Sequence, residues 1–369
     1  MKLTIAKEQI LNGLQAVQNI VASRTTLPVL SNVLLNAKDG KLELTATDLD
    51  VTISATVDAS VKEPGAATLP VKRLFGIVRE LAAAEVEIDI SEKNVCSLRA
   101  GSSFYKIHGL AAEEFPPLPS FADDRKITLP QEKVKAMLRR TVFAISSDET
   151  RYVLNGLYFS FKDHKVAVVA TDGRRLALVE EETEIADESK GELIVPSKAI
   201  NELNRLVQTK GELEIRYTQN QVSFLLRDEQ GHETKLMSKL VDGTYPNYRQ
   251  VIPAETKERI ALEREEFLHA LRRAEIMTSE KSNSVKLSFT RNSLVITANT
   301  PEVGEGQESL AINYKGKDLA VAFNPAFLMD PLKAVDDDEI FLELSDELSP
   351  GLVKTNGPFL YVIMPMRMS

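Results

Sequence analysis

The chain repeats itself three times, and a long internal period limits the folds open to it more than any single motif. Thr68-Leu69-Pro70 leads into Val71-Lys72-Arg73-Leu74-Phe75, Val195-Pro196 into Ser197-Lys198-Ala199-Ile200, and Phe323-Asn324 into Pro325-Ala326-Phe327-Leu328. Each reads as a strand end, a proline and an amphipathic helix. A partner helix follows Ile5-Ala6, Leu129-Pro130 and Leu262-Glu263, and the turns Ala46-Thr47-Asp48, Ala170-Thr171-Asp172 and Ala298-Asn299-Thr300 repeat too. Three copies of roughly 120 residues fill all 369.

Apolar residues at i, i+3 and i+4 predict helices over 7–20, 71–81, 131–144, 197–210, 263–277 and 325–335, the last with Pro331 as a kink or a late start. Between them the period drops to two, as in Leu42-x-Leu44-x-Ala46, Val51-x-Ile53-x-Ala55, Leu157-x-Phe159-x-Phe161, Val222-x-Phe224-x-Leu226 and Leu294-x-Ile296-x-Ala298. Such alternation predicts half-buried antiparallel strands. Each copy is therefore an α+β layer, two helices on antiparallel sheet. Proline-rich stretches at Phe115–Arg125 and Tyr245–Pro253 separate the copies, which sets domains at 1–122, 127–251 and 254–369. Neither stretch is long enough for a floppy tether.

Composition narrows the function. A single cysteine, Cys96, leaves no intrachain disulfide and fits a reducing compartment. The start, Met1-Lys2-Leu3-Thr4-Ile5, lacks a signal peptide's apolar core, so a cytoplasmic protein is expected. The longest apolar runs fall far short of a membrane span. There is no phosphate-binding loop, no His-Glu-x-x-His and no Cys-x-x-Cys, so neither cofactor nor metal is expected. Asp336-Asp337-Asp338-Glu339 suits a solvated turn better than a metal site, and Thr171-Asp172-Gly173-Arg174-Arg175 a hairpin turn better than a catalytic loop. The formal net charge is −9, yet helices 71–81, 131–144 and 197–210 each carry a basic excess. This segregation suggests that the helices share a basic face while the sheets form an acidic exterior; a hydrolase or transferase built on one of those two segments and a protein-only scaffold are competing readings.

The residues then point to a family. Arg24-Thr25-Thr26-Leu27-Pro28-Val29-Leu30-Ser31-Asn32, Gly40-Lys41-Leu42-Glu43-Leu44-Thr45-Ala46-Thr47-Asp48-Leu49, Arg151-Tyr152-Val153-Leu154-Asn155-Gly156, Ala170 through Ala177, Ser238 through Tyr248 and Tyr361 through Arg367 are spread over all three copies. On them the chain resembles the β sliding clamps of bacterial DNA polymerase III over its full length. The resemblance implies a head-to-tail homodimer closing as a six-domain ring, with helices around the hole and sheet on the rim. It implies a processivity factor, not an enzyme. The ring encircles duplex DNA without sequence preference and holds the replicative polymerase, the clamp loader, other polymerases and repair proteins through short peptide motifs. It is expected in the cytoplasm, at the nucleoid during replication.

The resemblance also implies sites. Facing DNA are Arg24, Lys72, Arg73, Arg79, Lys133, Arg139, Lys198 and Arg205. The client-peptide cleft comprises Leu154, Thr171, Gly173, Arg174, Arg175, Leu176, Pro246, Val251, Asn324, Phe327, Leu348, Val362, Met364, Pro365, Met366 and Arg367, with Arg175 and Asn324 orienting the peptide. The dimer face pairs Ile77, Tyr105 and Ile107 with Ile276 and Met277, and Lys72, Arg73 and Arg99 with Glu302, Glu305 and Glu308. Two features depart from the family: the loop Ser146–Thr150, which approaches DNA there, is acidic here, and helix 263–277 is net negative.

Overall fold

A computed structural model describes residues 1–21, 27–119, 121, 125–280 and 283–367. Arg24 lies outside the described residues. The first copy holds β1 (Lys2–Ala6), α1 (Lys7–Val17), β2 (Asn32–Lys38), β3 (Lys41–Thr47), β4 (Val51–Asp58), β5 (Ser60–Glu63), β6 (Gly65–Pro70), α2 (Val71–Glu80), β7 (Glu85–Ile90), β8 (Val95–Ala100) and β9 (Ser103–His108). The second holds β10 (Lys126–Pro130), α3 (Gln131–Arg139), β11 (Gly156–Lys162), β12 (Lys165–Thr171), β13 (Arg175–Glu182), β14 (Gly191–Pro196), α4 (Ser197–Leu206), β15 (Glu212–Tyr217), β16 (Gln221–Arg227) and β17 (Glu233–Lys239). The third holds β18 (Glu258–Glu263), α5 (Arg264–Glu275), β19 (Val285–Thr290), β20 (Ser293–Thr300), β21 (Gly304–Ala311), β22 (Leu319–Phe323), α6 (Pro325–Ala334), β23 (Glu339–Leu344), β24 (Gly351–Lys354) and β25 (Phe359–Ile363).

The chain forms two compact units, and the middle copy is divided between them. One unit comprises Met1–Lys135, Asp187–Ser189 and Lys198–Leu240; the other comprises Ala136–Ala186, Lys190–Ser197 and Val241–Ser369. Each contains an eight-stranded sheet that crosses from one copy into the next. In the first unit the order is β10-β15-β16-β17-β4-β3-β2-β6, beside a five-stranded sheet β5-β1-β7-β8-β9. The join is antiparallel, from Glu233 opposite Thr56 to Ser238 opposite Val51. In the second unit the order is β14-β11-β12-β13-β25-β24-β23-β18, beside β21-β20-β19-β22. Its join runs from Arg175 opposite Ile363 to Val179 opposite Phe359.

The helices form where the periodicity placed them. Ile10, Leu14 and Val17 bury one stripe of α1, and Phe267, Leu268 and Leu271 the matching stripe of α5. The first residue of each leading helix ties down the end of its partner. Lys7 donates to the Leu81 carbonyl, Gln131 accepts from the Gln208 amide at 2.9 Å, and Arg264 donates to the Leu332 carbonyl at 3.2 Å. These are backbone groups that a helix cannot satisfy by itself. Pro331 neither delays nor ends α6, which begins at Pro325 and runs through it. A proline inside a helix leaves the carbonyl four residues earlier without its donor. Here that carbonyl, on Phe327, accepts from the Tyr361 hydroxyl at 2.8 Å.

The strands differ from the half-buried expectation. Six of the seven residues of β11 are buried, and β12 is nearly as enclosed. The connector after the second copy causes this. Tyr245 stacks on Tyr158 at 4.8 Å and Tyr248 meets it edge-on at 5.9 Å, roofing a second hydrophobic cluster on the far face of the sheet. On β3 and β4 the second face is polar but closed: Thr45 bonds Ser54 and Thr47 bonds Thr52, both at 2.8 Å. Paired hydroxyls can be buried at little cost. The first unit also buries one carboxylate. Glu214 on β15 lies 2.8 Å from Lys126 and 2.6 Å from Arg216, with Arg227 at 3.4 Å. Burial by itself would raise its pKa, but Lys126 and Arg216 hold it down at about 2.

Candidate functional site

The site is built around the join of β13 and β25 in the second unit. The β12–β13 hairpin turns at Asp172-Gly173. Asp172 Oδ1 accepts from the amides of Arg174 and Arg175 at 2.9 and 3.1 Å, and Thr171 Oγ1 donates to the Arg175 carbonyl at 2.6 Å. Gly173 sits at φ +84°, and a Cβ there would stand 2.6 Å from Arg151 Nη1. The backbone of the turn thus favours glycine, while the Arg151 tip, the end of a flexible side chain, could move aside. Its polar groups are engaged with one another, which disfavours the catalytic-loop reading. Past the end of β25 the pairing persists: the Met364 amide donates to the Arg174 carbonyl at 3.0 Å, and the Met366 amide to the Ala322 carbonyl at 2.7 Å.

The cleft residues sort into a floor and a rim. Leu154, Leu176 and Val362 are buried and belong to the cluster roofed by Tyr245 and Tyr248. Val251, Leu348, Met364 and Met366 are exposed by 47%, 70%, 42% and 38%, unusual for side chains of this size. Gly173, Arg174, Pro246 and Arg367 are exposed; Thr171, Asn324, Phe327 and Pro365 are half-buried. Tyr152, exposed by 59%, is a further large apolar side chain that sequence reasoning left out, although it stands two residues from Leu154. A cavity of about 580 Å3 opens beside the connector, lined by Tyr158, Glu180, Glu192, Tyr248 and Arg249; Pro246 is its one cleft residue.

The two side chains expected to orient a peptide are committed elsewhere. Arg175 donates to Asp172 at 3.0 Å, to Asp330 at 2.5 Å and to the Phe143 carbonyl at 2.7 Å, with its guanidinium 4.3 Å from the Phe327 ring centre. Asn324 caps α6, accepting from the Ala326 and Phe327 amides at 2.9 and 3.4 Å. Both are engaged within the fold, while Arg174 is exposed.

The basic helix residues divide as well. Lys72, Arg73, Arg79, Lys133, Arg139, Lys198 and Arg205 are all exposed. Yet Arg139 makes a two-pronged bond to Asp336 at 2.6 and 2.7 Å, and Arg205 donates to the Gln15 and Ala16 carbonyls at 3.0 and 2.6 Å. Lys198 pairs with Asp48. The Arg139 hydrogen bond lowers the Asp336 pKa. That ties down the run once weighed as metal ligands, and among the described residues no group of three or more ligand-type side chains gathers. In the acidic loop Asp148 accepts from the Thr150 amide at 3.0 Å and pairs with Arg151 at 3.5 Å, so part of its charge is neutralised locally.

Of the residues expected at the dimer face, Ile276 is exposed by 73% and Tyr105 by 41%, while Ile107 is buried and Ile77 and Met277 are half-buried. Within the chain Glu308 accepts from Arg273 at 2.9 and 2.6 Å.

Comparison with known proteins decides what frame these sites belong to. Residues 1–119, 128–247 and 249–367 match, in order, the N-terminal, central and C-terminal domains of the DNA polymerase III beta subunit. The chain belongs to the DNA polymerase III beta subunit family. A beta sliding clamp of Chlamydia pneumoniae is 37% identical over 368 residues, covering 100% of this chain and 99% of its own. That of Bacillus subtilis is 31% identical with both chains covered in full. A crystal structure of the sliding clamp from Pseudomonas aeruginosa, bound to griselimycin, matches with a TM-score of 0.94 at 33% identity and 100% coverage of both chains. The clamp fold expected from the repeat, three tandem α+β domains, is thereby established. Among the described residues no helix is long and apolar enough to cross a membrane.

Proposed function

We infer that the chain acts as a homodimeric ring around duplex DNA. The coarse function, a non-catalytic DNA sliding clamp in replication, follows from family membership across the whole chain. The finer reading rests chiefly on one observation: two of three equivalent seams are closed within the chain, and the two halves of the third are left open. β9 corresponds to β17 and β25, and β21 to β4 and β13, yet β9 and β21 stand at sheet edges. Exposed strand edges invite pairing, and a head-to-tail contact that closes gives a ring.

Carrying the register of the closed seams to the open one sets Tyr105 opposite Gly306, Lys106 opposite Glu305 and Ile107 opposite Gly304. The equivalents of Tyr105 are Leu236 and Tyr361, both fully buried at their seams. The equivalents of Ile77 are Leu203 and Pro331, buried likewise. Met277 lies over the glycines; a Cβ at Gly306 would come within 2.8 Å of its Cγ. A large aromatic facing a glycine floored by methionine is a complementary fit, and Lys106 with Glu305 sets register.

For DNA we assign Lys72, Arg73, Lys133 and Lys198, together with Arg24. Few contacts suffice where topology holds the ring, and contacts to phosphate carry no sequence information. Domains at 1–122, 127–251 and 254–369, client peptides seated on the Leu154, Leu176 and Val362 floor between the exposed methionines, and work beside the bacterial nucleoid complete the proposal. The polymerase, clamp loader and repair proteins are the clients that it names. The test is retention. A fluorescent ring loaded on circular plasmid by a bacterial clamp loader stays bound at moderate salt and is lost when the plasmid is cut. Equal retention on circular and linear DNA would mean ordinary binding without encirclement.

A further inference from the structure

Both closed seams use an arginine at the end of a helix. At the first, Arg205 of α4 donates to the Gln15 and Ala16 carbonyls in the last turn of α1, and Glu202 steadies its Nε at 3.0 Å. At the second the direction is reversed: Arg139, on the leading helix α3, reaches the last turn of the trailing α6, with the Lys333 carbonyl at 3.5 Å and Asp336 at 2.6 Å. A helix C-terminus offers carbonyls in excess of its own donors and the negative end of its dipole, so a guanidinium there is a natural fastener.

The first seam joins a leading helix, α1, to a trailing one, α4, and the second joins α3 to α6. The helices left for the third seam are α5 and α2. The repeat fixes which residues correspond. Val71 and Ser197 open α2 and α4, which makes Arg79 the counterpart of Arg205. Lys7, Gln131 and Arg264 open α1, α3 and α5, which makes Arg272 and Arg273 the counterparts of Gln15 and Ala16, and Arg272 also that of Arg139; the pairing of Arg79 with them follows the first seam. A carboxylate takes the Nε of both arginines, Glu80 that of Arg79 at 2.8 Å and Glu202, one turn earlier on its helix, that of Arg205 at 3.0 Å. The Phe75 ring lies beneath Arg79, 5.6 Å from the guanidinium carbon. The cationic side chain of Arg273 at the receiving end is paired with Glu308, which softens the repulsion that an incoming arginine meets.

We propose that Arg79 is a fastener between two copies of this chain, donating to the Arg272 and Arg273 carbonyls at the end of the second copy's α5, and is not a DNA contact. The proposal rests on the head-to-tail pairing described above and refines it.

The test uses the full chain and reads dimer dissociation by fluorescence dilution, alongside binding of the loaded ring to circular DNA. Arg79→Gln removes the charge and the two-pronged donor; it is expected to raise the dimer Kd roughly tenfold, in keeping with loss of charge-assisted bonds. Arg79→Lys recovers only part of this, because an ammonium is a point charge and cannot bridge two carbonyls as a planar fork does. Lys133→Gln, on the exposed side of α3 and outside the proposed dimer face, is expected to leave the dimer Kd alone and weaken DNA binding. Chemical unfolding of each variant checks that the exposed substitutions leave the fold intact. If Arg79→Gln dimerises like the parent, the fastener is refuted while the ring stands. If the parent chain itself does not dimerise, the head-to-tail reading fails and takes the fastener with it.

Discussion

The two seams inside this chain share a backbone and differ in side chains. At the first, β17 meets β4 and the Lys239 amide donates to the Asp50 carbonyl at 3.1 Å; at the second, β25 meets β13 and the Met364 amide donates to the Arg174 carbonyl at 3.0 Å. These bonds are equivalents in the repeat. Around the first bond stand Asp50, Thr52, Met237 and Lys239, with Lys239 and Asp50 paired at 2.9 Å. Around the second stand Arg174, Leu176, Val362 and Met364. One seam seals its edge with an ion pair and a hydroxyl. The other leaves an apolar floor and an unpaired methionine facing solvent. The join itself is structural at both; what the second adds is exposed apolar side chains beside it, the feature on which the proposed cleft rests.

The largest effect should come from deleting that difference. A chain truncated after Ile363 loses Met364 through Arg367 but keeps all of β25. A polymerase-derived peptide should bind it more than a hundredfold more weakly, the scale at which clustered anchor residues act. The dimer should persist, because the residues proposed to form it lie on other strands. Titration of labelled peptide against both chains is the measurement, and equal affinity would remove the cleft from the second seam.

A second contrast concerns stability. The first unit buries Glu214 beneath three cations; its folded pKa, about 2, lies below the ordinary 4.5. A carboxyl depressed on folding stabilises above its unfolded pKa, and the contribution fades as the pH falls toward the folded value. Because Lys126, Arg216 and Arg227 are partly in water, the full linkage energy must be discounted, to about 2 kcal/mol at neutral pH. Glu214→Gln should therefore lower the unfolding free energy of the first unit by that amount at pH 7. Between pH 4.5 and 2 the parent should approach the variant. Hydrogen exchange resolved by peptide should show the change in β10, β15 and β16 and not in β11–β13. A gap between parent and variant that stays constant down to pH 3 would mean that the charge is not the cause.

A smaller effect tests the seam chemistry directly. Met364→Lys gives the second seam the residue that the first has at Lys239. One anchor lost to a solvated ammonium should weaken peptide binding roughly tenfold, with the fold unchanged since Met364 is already exposed by 42%. Retained affinity would shift the anchoring role to Met366 or Leu348.

Much of this was legible in the sequence. The period gave the three copies, and the i, i+3, i+4 stripes gave the six α-helices found among the described residues, because both signals come from burial on one face of a regular element. What the sequence did not reveal are contacts made between distant positions. Burial of β11 on both faces depends on Tyr245 and Tyr248 folding back over Tyr158, and alternation within a strand cannot report that. The continuation of α6 through Pro331 depends on the Tyr361 hydroxyl reaching the Phe327 carbonyl. The basic excess on the helices was visible as charge, but the engagement of Arg139 and Arg205 with helix ends was not. In the cleft, resemblance assigned Arg175 and Asn324 polar roles toward a ligand, while the fold uses them for packing and capping. The residues expected at the site divide by geometry into buried, exposed and internally bonded members.

The smallest expected effect is also the strictest check on the comparison. Lys239→Met places at the first seam the methionine that the second seam has at Met364. If an exposed methionine beside a strand join were enough to make a peptide site, this variant would acquire one. The surroundings argue that it should not. Thr52 occupies the position of Leu176, its hydroxyl is bonded to Thr47, and Asp50 keeps a carboxylate at the edge. An apolar anchor arriving there would have to cover that charge, with no matching donor supplied by the methionine. The lost Lys239–Asp50 pair is exposed by 61% and 71% on its two sides, so its removal should cost no more than about 0.5 kcal/mol of stability. The expected result is an unchanged peptide stoichiometry of one per chain, an unchanged affinity and an unfolding midpoint within error of the parent. Calorimetric titration reads the first two together. A second peptide bound per chain would show that the floor residues matter less than the rim, and that the two seams differ by a single side chain.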